Sequence, residues 1–194
     1  MAYLVDTRPF TSYKILTESR GGSEKFLVEG LMQVAGDENG NGRIYPRDIL
    51  EREVQKFKDT YIANKNPYGE LDHPESPIVS MKNVSHAIVD LWWEGNNVMG
   101  RIEVLNTPTG NIVKEVLKAG YVIGISSRGT GSTTEEDGKV IVNDDFDLIT
   151  WDFVSNPSVQ GAFLKQISLN EGLQPQNKDK FVKLNTILND ILRN

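Results

Sequence analysis

The sequence predicts an α+β fold, a mainly antiparallel β-barrel or sandwich with helices flanking it. Six short segments are rich in strand-forming residues and two show helical periodicity, and the two kinds do not alternate regularly. At 194 residues with 38% hydrophobic residues, the chain is long enough to bury one good core and short for two. We therefore expect one folded domain with an appendage.

The strand predictions rest on apolar runs bounded by turn residues. The first run, Lys-Phe-Leu-Val-Glu-Gly-Leu-Met-Gln-Val, is followed by a loop-like segment. Two later runs flank Glu-Gly-Asn-Asn and predict a hairpin. A turn, Glu-Glu-Asp-Gly at 135–138, separates two of the last three runs. The six predicted strands are 25–34, 85–93, 98–105, 121–127, 139–143 and 146–154.

Two helices are predicted from apolar residues that recur at helical spacing. The first runs from Pro46 to about residue 65, with Pro46 placed to begin it. The second spans 110–119; Thr107-Pro108 opens it and Gly120 closes it.

The domain organisation follows from a change of composition near the C-terminus. Residues 1–166 carry all the predicted strands and both helices, whereas 167–180 are mostly polar and are expected to form a linker. Residues 181–194 are expected to form a short amphipathic helix. Its apolar face carries Phe181, Leu184, Leu188 and Ile191.

Composition excludes several classes of function. The net charge of −6 and the pI near 5.0 argue against direct nucleic-acid binding, which needs a cationic surplus. Without cysteine there are no disulfides or thiolate sites. No segment approaches the roughly 20 apolar residues of a membrane span. We expect a soluble intracellular protein that needs no cofactor and does not bind membranes.

One segment imitates a calcium-binding loop. Residues 37–44, Asp-Glu-Asn-Gly-Asn-Gly-Arg-Ile, match the start of an EF-hand. The twelfth position is Asp48 rather than glutamate, and Pro46 lies inside the loop. A turn between a strand and a helix explains the segment better, and we expect no metal site.

A paired serine and a histidine indicate a hydrolase. Ser126 and Ser127 lie in Gly-Ile-Ser-Ser-Arg-Gly at 124–129, and His73 lies in Gly-Glu-Leu-Asp-His-Pro at 69–74. A serine hydroxyl becomes a good nucleophile when a base, most often histidine, takes its proton. Pro74 favours a turn or extended segment around His73. His86, the other histidine, lies in a predicted strand and is expected to pack there.

Taken together, these two strings resemble the histidine and serine motifs of the prohead core proteases of T-even-type bacteriophages. That family shares its fold with the herpesvirus assembly protease, assemblin. The resemblance extends to Asn-Gly-Arg-Ile-Tyr-Pro at 41–46 and to Asp-Leu-Trp-Trp-Glu-Gly-Asn at 90–96, and it covers roughly residues 25–160.

The resemblance implies that Ser126 is the nucleophile and His73 the base. Because neighbours on a strand face opposite sides, only one of Ser126 and Ser127 can point at His73. Ser127 is expected to support the substrate or the oxyanion; alternatively, its hydroxyl bonds to the backbone. Arg128 follows as a cation that would support the oxyanion or meet an acidic substrate side chain. Alternatively, it is a solvated surface arginine.

The third member of the triad is less defined. Assemblin uses a second histidine in a strand after the serine, and no histidine follows Ser126 here. Asp152 occupies the comparable strand, and an aspartate between Trp151 and Phe153 is costly to bury without a partner. We therefore predict Asp152. The alternatives are Glu70, Asp72 and His86.

The same resemblance implies an endopeptidase that cuts after glutamate, with an aliphatic residue two positions earlier and a small residue following. The cation that binds the glutamate could be Arg128, Lys82, Arg43 or Arg101. The substrates would be scaffold or core proteins and the major capsid protein inside an immature capsid in the host cytoplasm. Self-association is also implied, since assemblin works as a dimer.

Self-cleavage is expected between Glu171 and Gly172, at the start of the linker. Leu-Val-Glu-Gly at 27–30 fits the same pattern but lies in a predicted core strand. Leu-Thr-Glu-Ser at 16–19 is a second accessible possibility. A different interpretation of the whole chain is an inactive member of the fold that serves as a scaffold or capsid-assembly binding module.

Overall fold

The computed structural model describes residues 2–9, 14–20, 23–74 and 76–155. Its helices are α1 (Arg47–Phe57), which a π-helical turn (Lys58–Ile62) continues, and α2 (Pro108–Lys118). The strands within these ranges are β1 (Ala2–Pro9), β2 (Lys14–Arg20), β3 (Ser23–Val34), β4 (Arg43–Ile44), β5 (Tyr68–Glu70), β6 (Val84–Glu94), β7 (Asn97–Val104), β8 (Gly124–Gly131), β9 (Thr133–Glu136), β10 (Lys139–Val142) and β11 (Asp147–Val154).

The strands form three sheets. The largest has the order β2-β3-β7-β6-β5, and the second has the order β1-β8-β11; neighbours in both are antiparallel. The third is small, with order β4-β10-β9, and its β4–β10 pair is parallel. The described strands form no closed barrel and give a sandwich-like arrangement. The predicted α+β class, mainly antiparallel with flanking helices, is confirmed.

All six predicted strands are present, with shifted ends. The largest shift concerns 121–127, because the strand there begins at Gly124 and continues to Gly131. The turn predicted at 135–138 is shorter than expected. Glu135 and Glu136 belong to β9, and Asp137 and Gly138 turn the chain with φ of 50° and 74°. The short or N-terminal strands β1, β2, β4, β5 and β9 were not predicted.

Both predicted helices form, and their ends have clear causes. α1 begins directly after Pro46 and gives way to the π-helical turn at Lys58, which ends before the predicted residue 65. At α2, the Thr107 hydroxyl accepts a hydrogen bond from the Gly110 amide at 3.0 Å, which caps the helix. Gly120 has φ of 79°, a conformation suited to glycine after a helix.

α1 packs against β11 and fixes that strand in the core. The rings of Phe57 and Trp151 meet edge to face, with centroids 5.3 Å apart, and both side chains are fully buried. The buried carboxylate of Glu53 accepts the backbone amide of Leu148 at 2.9 Å. Because side chains alternate along a strand, Trp151 faces this core and Asp152 emerges on the other side of β11.

A short backbone link joins the end of β5 to β11. Leu71 forms an isolated parallel bridge with Phe153, and the Asp72 amide donates to the Phe153 carbonyl at 2.7 Å. The large sheet and the β1-β8-β11 sheet therefore meet where the chain leaves β5. This seam lies two residues before His73.

The calcium-like segment is a turn built on Asn39. Its side-chain oxygen accepts the backbone amides of Asn41 and Arg43 at 2.9 and 2.8 Å. Gly42 adopts φ of 73° within the turn. The predicted turn between a strand and a helix is thus observed, although the two-residue strand β4 precedes the helix.

In the ranges that the structure describes, neither helix has the length and apolar character needed to cross a membrane.

Candidate active site

Two neighbouring strands carry most of the candidate residues. In the register of β8 and β11, Ser126 lies directly opposite Asp152. Residues that face each other across an antiparallel pair project to the same side of the sheet. Ser126, Arg128 and Asp152 therefore share one face. Both serine and aspartate are fully buried.

His73 reaches this face from the segment that follows β5. The chain turns sharply at Asp72, whose φ is 63°. The seam with Phe153 holds the turn in place and sets the imidazole over Ser126 and Asp152. The His73 side chain keeps 18% of its surface exposed, whereas the side chain of Asp152 is fully buried. Solvent therefore reaches this site at the imidazole ring.

The three side chains form a continuous hydrogen-bonded chain. Nδ1 of His73 lies 2.8 Å from Oδ2 of Asp152, and Nε2 lies 2.6 Å from Oγ of Ser126. Because a carboxylate only accepts, Nδ1 carries the proton and donates it. Nε2 is then the free acceptor, and it receives the Ser126 hydroxyl proton. This is the arrangement required for a general base next to a hydroxyl nucleophile.

Three hydrogen bonds and one further ion-pair contact surround the Asp152 carboxylate. Oδ2 lies 2.8 Å from His73 Nδ1 and 2.7 Å from Arg128 Nε. Oδ1 accepts the Glu70 backbone amide at 2.9 Å and Arg128 Nη2 at 3.2 Å. These contacts fix the orientation of the carboxylate. This answers the difficulty of burying an aspartate between Trp151 and Phe153.

Arg128 lies inside the protein, which contradicts the alternative of a solvated surface arginine. The side chain is fully buried, and Nη2 lies 2.6 Å from Oε2 of Glu70. Nη1 donates to the Ser76 carbonyl at 2.7 Å. With Asp152, these partners occupy the guanidinium. The carboxylates of Glu70 and Asp152 and the Ser76 carbonyl, all groups of the protein itself, thus surround the guanidinium.

Ser127 points to the opposite face from Ser126, as predicted from strand geometry. It lies opposite Trp151 in the register and is 1% exposed. The alternative, a bond from its hydroxyl to the backbone, is not observed. Within the described residues, Oγ of Ser127 has no hydrogen-bond partner.

The other three candidates for the third position contact different groups. Glu70 pairs with Arg128, and its other carboxylate oxygen accepts the Ser80 amide at 3.1 Å. Asp72 is exposed and lies in a turn, where its φ is 63°. His86 bonds to Ser85 and to the Trp151 carbonyl. Of the four acids and bases considered, Asp152 is the one in contact with His73.

His86 supports the site from behind. Its Nε2 donates to the Trp151 carbonyl at 3.0 Å, so Nδ1 is the acceptor for the Ser85 hydroxyl at 2.8 Å. Burial lowers the pKa of His86 to about 4, although the nearby Asp152 charge and the Trp151 carbonyl oppose the shift. His86 is therefore a neutral, fully bonded core residue near pH 7.

Gly69 is required by this packing. A Cβ atom built at Gly69 would lie 2.2 Å from Nε2 of His86 and 2.3 Å from the Trp151 carbonyl oxygen. The first residue of the Gly-Glu-Leu-Asp-His-Pro string thus lets β5 approach β6 and β11 closely. The prediction of a hydrolase rests on the histidine and carboxylates of this string and not on its glycine.

An apolar groove lies beside the segment that follows His73. Its volume is about 450 Å³, and Ile78 and Met81 on its wall are exposed. Lys82, also exposed, follows Met81 in the chain and is not itself one of the residues that line the groove. The other residues that line the groove include Phe57, Tyr61, Tyr68 and Ile149.

The remaining candidate cations lie elsewhere. Arg101 on β7 pairs with Glu29 on β3, and Arg43 lies in the small sheet. In the described ranges, no cluster of three or more histidine, aspartate or glutamate side chains is arranged to hold a metal ion.

Several expectations lie partly or wholly outside the described residues. The Glu171-Gly172 bond, the linker 167–180 and the helix 181–194 are among them. Of the alternative cleavage sequences, 27–30 lies within β3, between β2 and β7. The sequence at 16–19 lies within β2, which pairs with β3.

The chain is similar to known proteins along most of its length. The family model for the prohead core protein serine protease matches residues 2–173. The prohead core protein protease of Enterobacteria phage T4 is 35% identical over 165 residues, which cover 80% of this chain and 78% of that protein. The solved structure of the bacteriophage T4 capsid assembly protease matches with a TM-score of 0.75 at 31% identity, covering 80% of this chain and 98% of that chain. This chain therefore belongs to the prohead core protein serine protease family and is a serine peptidase.

Proposed function

We propose that this protein is the endopeptidase of capsid maturation in a tailed phage, with Ser126 as nucleophile, His73 as general base and Asp152 as the residue that orients His73. One observation carries the proposal: the contact of 2.6 Å between His73 Nε2 and Ser126 Oγ, together with the 2.8 Å contact on the other ring nitrogen. Both contacts support the proton positions that nucleophilic attack needs.

The reaction follows from these positions. Ser126 Oγ attacks the scissile carbonyl carbon while its proton passes to Nε2 of His73. The resulting imidazolium is stabilised by the Asp152 carboxylate and returns the proton to the leaving amine, so the peptide C–N bond breaks and an acyl-enzyme forms. Water, deprotonated by the same imidazole, then hydrolyses the ester and regenerates Ser126.

The substrates that we propose are scaffold or core proteins and the major capsid protein, cut inside the immature capsid in the host cytoplasm. The named T4 relative is a capsid assembly protease, which supports this setting. Cleavage after glutamate in Leu/Ile-X-Glu followed by a small residue is part of the same proposal. It requires a cation that can contact the substrate glutamate.

Among the four candidate cations, Lys82 fits this requirement best. It is exposed on the segment that follows His73, and the neighbouring Asn83 carbonyl accepts the Leu71 amide at 3.2 Å. The lysine therefore lies near the seam that holds His73. The apolar groove beside Met81 would accept an aliphatic side chain of the same substrate.

Self-cleavage between Glu171 and Gly172 is a further part of the proposal. The family match ends at residue 173, which supports a protease domain that stops near this bond. Cleavage would remove the predicted helix at 181–194, whose apolar face would dock on the scaffold or on the protease domain before maturation.

The proposal is tested by labelling with a fluorophosphonate, which reacts quickly only with an activated serine. The wild type should be labelled, and Ser126→Ala should not. Intact-mass measurement of the two proteins should show a wild type shortened at Glu171 and a full-length Ser126→Ala variant. A folded wild type that resists the probe and leaves a peptide of Leu-X-Glu-Gly type uncut would overturn the assignment.

A further inference from the structure

We propose that Glu70 and Arg128 are positioning residues for the reaction: they fix the Asp152 carboxylate and the His73 segment, and they set the charge that the His73 imidazolium meets. This inference rests on the proposed roles of Ser126, His73 and Asp152. It gives Arg128 a task that differs from contact with the substrate or the oxyanion.

Arg128 links three parts of the chain through one planar group. Nε lies 2.7 Å from Oδ2 of Asp152, and Nη2 contacts both Oδ1 of Asp152 at 3.2 Å and Oε2 of Glu70 at 2.6 Å. Nη1 donates to the Ser76 carbonyl at 2.7 Å. A guanidinium presents these donors in a fixed fork, which lysine cannot reproduce. The guanidinium therefore contacts both carboxylate oxygens of Asp152.

Glu70 supports Asp152 in two ways. Its backbone amide donates directly to Oδ1 of Asp152 at 2.9 Å, and its carboxylate balances the charge of Arg128. The second carboxylate oxygen accepts the Ser80 amide at 3.1 Å. Ser76 and Ser80 both follow His73, so Arg128 and Glu70 tie that segment to β8 and β5.

The charges behind His73 sum to a net negative group. Asp152 and Glu70 each carry −1 and Arg128 carries +1, and all three side chains are fully buried. Asp72, on the segment of His73 itself, is exposed to water, which screens its charge. His86 approaches from β6 and is neutral near pH 7. Neutralising Glu70 would leave no net charge behind the ring, which disfavours the imidazolium.

The experiment measures the rate of fluorophosphonate labelling of Ser126 against pH. Relative to the wild type, Glu70→Gln should lower the plateau rate about tenfold and move the acid limb of the profile to lower pH. Glu70→Asp keeps the charge and should restore the position of the limb. Arg128→Lys keeps the charge but loses the fork, so it should leave the limb in place and lower the rate about tenfold.

Glu53→Gln is the matched control. Glu53 is also a buried carboxylate that bonds to β11, through the Leu148 amide, and it pairs with Arg52. Loss of the Glu53 carboxylate should reduce the stability of the protein. The acid limb of the pH profile and the plateau labelling rate of the folded protein should stay unchanged. The ring signals of His73 in NMR spectra supply a readout besides labelling, because the chain has only two histidines.

The outcomes separate this inference from the proposed function. A wild type that is not labelled, or that is labelled equally in Ser126→Ala, contradicts the proposed function. A labelled wild type whose pH profile superimposes on that of folded Glu70→Gln overturns the role of Glu70. Should that variant not fold, Arg128→Lys decides: an undiminished labelling rate rejects positioning by the guanidinium.

Discussion

Oγ of Ser126 and Nε2 of His73 lie 2.6 Å apart, although 53 positions separate the two residues in the chain. Ser126 is held on β8, the middle strand of its sheet, and His73 is held by the seam with β11. The contact therefore depends on the two sheets meeting correctly. Disturbing the seam should affect activity as directly as replacing a reacting group.

Replacing Asp152 by asparagine should nearly abolish peptidase activity. The amide nitrogen of asparagine cannot accept a hydrogen bond, so it cannot replace an oxygen that contacts Arg128 or the Glu70 amide. In the orientation that faces His73, it would donate to Nδ1 and favour the tautomer with the proton on Nε2. We expect a loss of about 10⁴-fold in kcat/KM for a Leu-X-Glu-Gly peptide. The measurement is steady-state cleavage beside Ser126→Ala. A folded variant that keeps a tenth of the wild-type rate would contradict the role assigned to Asp152.

Reversing the charge of Lys82 should alter specificity. A charge-assisted hydrogen bond contributes about 1.5–3 kcal/mol, so Lys82→Glu should lower kcat/KM on a glutamate peptide at least about tenfold. The loss on the matching glutamine peptide should be smaller. Lys139→Glu, an exposed lysine on β10, is the control and should leave both values unchanged. Equal losses on both peptides with Lys82→Glu would reject contact with the substrate carboxylate.

The stability of the fold should depend on pH through His86. Its pKa in the folded protein is about 4, below the value near 6.5 of an unfolded chain. As the pH falls through this window, the unfolded state gains a proton that the folded state does not, so stability falls. The full effect is at most about 3 kcal/mol.

His86→Gln isolates this contribution, because glutamine does not titrate. The variant is expected to be less stable than the wild type at pH 7, and the difference should shrink as the pH approaches 4. Urea unfolding at pH 7, 5.5 and 4 measures it. A difference that stays constant across these values would show that His86 does not carry the dependence.

Replacing Gly69 by alanine should be severely destabilising. The added methyl group would overlap His86 and the Trp151 carbonyl, both of which are held in the core. We expect a loss of more than about 3 kcal/mol in the free energy of unfolding, measured by urea titration. Gly138→Ala is the comparison, since it meets no atom within 4 Å and has φ of 74°. It should lose only about 1 kcal/mol.

Local sequence patterns predicted the elements that depend on local interactions. The apolar runs located β3, β6, β7, β8, β10 and β11, and Thr107-Pro108 with Gly120 located the ends of α2. The short strand β5 carries three residues, too few for a period to be visible. The π-helical turn after α1 has the same apolar spacing as a helix, so its onset at Lys58 left no signal.

At the site, the predicted members Ser126, His73 and Asp152 are brought into contact, and the strand alternation correctly separated Ser126 from Ser127. The pairing of Glu70 with Arg128 could not be predicted, because it joins residues 58 positions apart through a turn at Asp72 with positive φ. A buried arginine two residues from a nucleophile is indistinguishable in sequence from a solvated one. Burying an arginine without a partner is costly, so the sequence offered only the general expectation that a buried arginine would have a carboxylate partner.

The order in which the ribosome synthesises the strands that carry the site has its own consequence. β11 is the last strand of the described fold, and it brings both the aspartate and the carbonyl that anchors the histidine segment. A nascent chain that has not yet emerged to residue 154 possesses the hydroxyl and the imidazole without the strand that aligns them. We therefore expect the three side chains to come into contact only after β11 has been made.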